Sequence, residues 1–116
     1  MIRLDGIRTE DNAAPDRLAR AFLCGVEYAL SALVLFGEDG NCMDVRLFDT
    51  AYGGISLPLH RGARSAWLLS GHPFDTGEPS PQDLEHAALL CDLLGAEHVR
   101  LYIAGQSLPC RRIPLP

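Results

Sequence analysis

The chain has 116 residues, 47% of them hydrophobic and 22% charged, with a formal net charge of −5. That is one domain's worth of chain, 1–116, with enough apolar material for an ordinary core without disulfides or metal. The balance excludes disordered, collagen-like, disulfide-scaffold and multidomain chains, and it lacks the clustered positive charge that a nucleic-acid surface requires.

In chain order, Met1 to Ile7 alternates apolar and polar residues, which predicts a short strand. Asp11 or Asn12 can cap the helix that follows, with Pro15 in the first turn, where its missing N–H costs nothing. Leu18, Phe22, Gly25, Ala29, Leu33 and Phe36 recur at helical spacing. The residues from Ala29 to Phe36 are apolar all round, so they fit a strand entering a hairpin at Glu38-Asp39-Gly40-Asn41 as well as the end of a buried helix. With no breaker between the halves, one long helix ending at Gly37 is favoured.

Cys42 to Asp49 alternates and predicts a strand. Ile55 to Leu59 alternates around Pro58, the mark of an edge strand, and Ser65 to Ser70 is a third, densely apolar strand holding Trp67 as a core anchor. The three read as an antiparallel meander. After the Gly- and Pro-rich stretch from Gly71 to Pro81, Ser80 caps a second helix with Pro81 in its first position, and Gly95 ends it. Val99, Leu101 and Ile103 mark a strand over 97–104, and Leu108 to Leu115 adds an edge strand interrupted by prolines. The expected fold is α+β: an antiparallel or mixed sheet of four to five short strands with two helices packed on one face.

The second helix carries two apolar stripes. Leu84, Ala87, Ala88, Cys91 and Leu94 are assigned to the core. Leu89 and Leu93, with His86 one turn earlier, lie on the far side. A helix on one sheet needs a single stripe, so the second is a candidate partner-binding face, ringed by charges that include Asp92. The competing assignment is cover by the chain's own arm or tail. The loop after the third strand gathers His72, Asp75 and Glu78, residue types suited to acid–base chemistry or a metal, at a spacing that matches no motif with a known mechanism. Acids in such loops more often make turn contacts and face water.

His60, His72, His86 and His98 fall near element ends, but nothing in their spacing requires them to converge. Cys24, Cys42, Cys91 and Cys110 show neither a C-x-x-C pair nor zinc spacing, so no metal and no cofactor is expected. There is no phosphate-binding glycine pattern, no stretch near the ~20 apolar residues of a membrane span, and no secretory signal at the start. A cytoplasmic protein with reduced thiols is expected.

All ten basic residues are arginine, which points to a GC-rich bacterial genome, or a phage or mobile element in such a host. The expected function is a non-enzymatic protein-binding module, homodimeric or bound to another protein, such as an accessory protein that inhibits a host system. The alternatives are a small enzyme using His72 with Asp75 or Glu78, with or without a metal, and a small-molecule sensor.

Overall fold

The computed structural model describes residues 6–23, 30–50, 62–71, 78–105 and 110–115. Their elements are α1 (Ala14–Phe22), β1 (Leu30–Phe36), β2 (Cys42–Asp49), β3 (Ser65–Gly71), α2 (Pro81–Leu94), β4 (Val99–Ala104) and β5 (Arg111–Ile113), with a 3₁₀ turn at Ala96–His98 before β4. The five strands form one mixed sheet in the order β2-β1-β3-β4-β5. β1 is antiparallel to β2 and β3, β3 is parallel to β4 across the α2 crossover, and β4 is antiparallel to β5. No helix among the described residues is long and apolar enough to cross a membrane.

The α+β expectation holds, with three corrections. The long helix expected from Pro15 to Phe36 is two elements: α1 ends at Phe22, and Leu30–Phe36 is a strand. An uninterrupted apolar run is what a strand covered on both faces needs. Ala32, Val34 and Phe36 pack with α1, while Leu33 and Leu35 pack with α2. The same parity places the two helices on opposite faces of the sheet rather than on one. Finally, β3 is not the last strand of a meander; it pairs with β1, which lies between it and β2. The expected strands at Met1 to Ile7 and Ile55 to Leu59 fall wholly or largely outside the described residues.

On the α1 face, Phe36, Trp67 and Tyr102 form an aromatic row across β1, β3 and β4. Ring centroids lie 4.5 Å apart for the first pair and 5.9 Å for the second. Leu18 and Ala19 of α1 cover this row, and the Asp16 carboxylate fixes the helix to the start of β5 by accepting the Cys110 backbone N–H at 3.0 Å. Neither Asp11 nor Asn12 is the N-cap of α1: that position is Ala13, which makes no side-chain capping bond, and Asp11 instead accepts the N–H groups of Ala13 and Ala14 from the turn just ahead of the helix.

The β1–β2 hairpin turns through Gly40 at φ +81°, a conformation open to glycine. The Asp39 carboxylate accepts from the Asn41 backbone and side chain, and these bonds hold its pKa below the ordinary aspartate value. Met43 is the extra residue where the register shifts between Leu35 and Phe36.

Because Trp67 is only 1% exposed and touches both aromatic neighbours, Trp67→Ala should cost about 3–5 kcal/mol. Urea unfolding followed by circular dichroism checks this, and a loss under about 1 kcal/mol would contradict the packing described.

Candidate functional site

α2 begins where the sequence places it, at Ser80. The Ser80 hydroxyl accepts the Asp83 N–H at 3.2 Å, and the Asp83 carboxylate accepts the Ser80 N–H at 2.8 Å, a reciprocal capping box. Asp83 is fully buried, and its other oxygen accepts a hydrogen bond from the Ser70 hydroxyl at 2.5 Å. One carboxylate thus caps α2 and clips it to β3. Ser31, the register partner of Ser70 on β1, makes a 2.5 Å hydroxyl contact with Thr50 at the end of β2. A polar seam therefore crosses the α2 face of the sheet at one end.

His86 lies one turn after Asp83. Its side chain is directed inward, 4% exposed, with its ring edge-on to Phe48 at 5.4 Å. Its Nδ1 has no hydrogen-bond partner among the described residues. At about 100° per residue, position 86 falls in the buried arc with Asp83, Ala87 and Leu90, not on the outer stripe with Leu89. The expected core stripe is displaced in the same way: Leu84 and Ala88 are exposed, and Leu90 takes their place in the core. Nothing in the sequence singles out Leu90, because its helix carries apolar residues nearly all round.

Leu89 and Leu93 are 40% and 52% exposed on one shoulder of α2, and Asp92 is exposed nearby. Beside Leu93 is a depression of about 520 Å³ whose lining includes Leu94, Ala63, Arg64, Glu38 and His98. A second depression, of about 500 Å³, adjoins it and shares Glu38 and Arg64. β1 places Glu38 just past its last residue, and the Arg64 backbone N–H donates to the Phe36 carbonyl at 2.8 Å. Neither the Glu38 nor the Arg64 side chain has an ion-pair partner among the described residues. No local signal in the sequence joins Glu38 to Arg64, since only the sheet order brings the 62–64 turn beside the β1–β2 turn and the end of α2.

Of the candidate acid–base set, His72 and Asp75 lie outside the described residues. Glu78 is a surface residue 3.9 Å from Arg111. The Ser70 hydroxyl is fully buried and donates to a carboxylate, so the seam ties elements together and has no nucleophile facing solvent. His86 and His98 lie in different surroundings, the seam and the depression. No group of three or more His, Cys, Asp or Glu among the described residues is placed to hold a metal ion. Burial pushes the thiols of Cys42 and Cys91 above the ordinary cysteine pKa, partly offset at Cys42 by its hydrogen bond to the Asp44 carbonyl and reinforced at Cys91 by the Asp92 charge, which opposes thiolate chemistry at neutral pH.

The seam makes two opposite expectations. Asp83→Ala removes a cap and leaves Ser70 buried without its acceptor, so it should cost about 2–3 kcal/mol. His86→Leu removes a buried atom with no partner and should raise stability by about 1 kcal/mol. Denaturant unfolding measures both, and a loss of about 2 kcal/mol or more in His86→Leu would show that Nδ1 has a partner.

A scan against protein-family models found no match to this chain, and a search of the curated proteins found none either.

Proposed function

We propose that the chain is a non-enzymatic protein-binding module whose contact surface is the Leu89–Leu93 shoulder of α2 with the adjoining depression. The observation that carries this reading is the exposure of two leucines, 40% and 52%, on a helix whose core contacts are already made by Ala87 and Leu90. Leu84 is exposed on the same helix as well, but Leu89 and Leu93 stand one turn apart, and two large apolar side chains so placed suit the centre of a contact patch with exposed charges around them as its rim. Asp92, Arg64 and Glu38 supply those charges. The lining of the depression also favours protein contact over a small ligand. Ligand pockets are mostly apolar, whereas Thr9, Glu38, Arg64, Ser65 and His98 make much of this one polar.

The test uses Leu89→Asp and Leu93→Asp. Because both side chains are surface residues, each variant should keep the wild-type circular dichroism spectrum and lose its partner by about tenfold or more in affinity. Affinity purification from the producing cells, followed by a binding titration with the purified partner, reads the effect. Retention of partner at wild-type strength by both folded variants would overturn the assignment.

A further inference from the structure

We infer that the partner of this surface is a second copy of the same chain, docked about a two-fold axis so that Leu93 of each copy enters the depression of the other and Arg64 of each faces Glu38 of the other. The inference rests on the protein-binding reading above and names its occupant.

Two features of the surface make it self-complementary. The first is shape. Leu93 is 52% exposed and lines, with Leu94 and Ala63 among others, a depression of about 520 Å³, so an exposed apolar side chain and a recess occur on one surface. A two-fold operation brings each such side chain to the other copy's recess, because residue i then meets j and j meets i.

The second feature is charge. Arg8, Arg17, Arg20, Arg46 and Arg111 each have a carboxylate within 4 Å in the same chain. Arg64, like Arg100 and Arg112, has none among the described residues, and neither does Glu38 have a cation; of these three arginines Arg64 alone lines the depressions, together with Glu38 and, in the second, with Asp39, whose carboxylate is engaged by Asn41. An acidic partner would satisfy Arg64 and repel Glu38, and a basic one would do the reverse. A second copy satisfies both, forming two Arg64–Glu38 pairs across one axis. Desolvation of the flanking leucines would strengthen those pairs relative to exposed ion pairs.

The test is sedimentation equilibrium of the full chain as wild type, Arg64→Glu, Glu38→Arg and an equimolar mixture of the two variants. The wild type should be a dimer. Arg64→Glu sets two carboxylates against each other and Glu38→Arg sets two guanidinium groups against each other, so each alone should dissociate about tenfold or more readily. In the mixture, the introduced glutamate of one variant would face the introduced arginine of the other, and the retained Glu38 would face the retained Arg64. Dimers should therefore return as the mixed species, identified by native mass spectrometry. Circular dichroism confirms folding; should a reversal disturb the fold, Arg64→Gln and Glu38→Gln replace it, each expected to weaken the dimer.

A monomeric wild type, or a dimer indifferent to both reversals with random mixing, overturns the inference. Leu93→Asp separates the two levels. If it releases a bound protein from a monomeric wild type, self-pairing falls and the binding module stands. If it alters neither mass nor bound protein, both fall.

Discussion

Two central strands buried on both faces set the terms for the rest of this structure. β1 and β3 each carry six buried residues in a row, and alternate side chains point to opposite sides of the sheet. Leu33, Leu35, Ala66 and Leu68 need cover on one side, and Val34, Phe36, Trp67 and Leu69 need it on the other. Each large apolar side chain contributes roughly 1.5–3 kcal/mol once removed from water, so neither face can be left wet. One helix per face is the consequence. The parallel pairing of β3 with β4 follows as well, because a crossover helix between those strands covers one face and delivers the next strand.

Placing a helix on such a sheet requires its end groups to be satisfied where water is excluded. Asp83 meets that requirement at the start of α2 by bonding the Ser80 N–H and the Ser70 hydroxyl together. The clip sets where α2 begins and which way it is rotated. Rotation in turn decides what faces solvent: with Asp83, His86, Ala87 and Leu90 turned inward, Leu89 and Leu93 are turned out. The surface assigned to partner binding is therefore a by-product of a buried polar contact on the other side of the same helix. Nδ1 of His86 is the one buried side-chain polar atom among the described residues left without a hydrogen bond, an exception at the very seam that fixes the helix.

The far end of α2 has a different character. There Leu93, Leu94 and His98 meet two turns, one between β1 and β2 and one just before β3. Gly95, at φ +94°, ends the helix and donates its N–H to the Cys91 carbonyl, so the chain leaves without covering Leu93. Exposed apolar area and opposite charges are thereby concentrated in one place, while the seam end of the sheet is tied by short internal hydrogen bonds.

Local chemistry was legible where a single residue dictates it. Ser80, Pro81 and Gly95 bound α2 as the sequence reading has them, and 42–49 and 65–70 are strands, because capping, proline geometry and side-chain alternation act within a few residues. Whether 30–36 was helix or strand could not be read locally, since an all-apolar run suits either and the choice is made by what covers it. The orientation of α2 was hidden for the same reason: with apolar residues nearly all round, no stripe in the sequence marks the core side, and Leu84 and Leu90 exchange roles only once the Ser70–Asp83 contact exists. The exposure of Leu89 and Leu93 was legible because they are surplus to one stripe, but Arg64 and Glu38 join them only through the sheet order. The sequence by itself determined the ends of α2, the alternating strands and an excess of apolar residues on one helix. The tertiary structure decided which faces are buried and which distant turns become neighbours, because burial is a property of the assembled sheet and not of any segment within it.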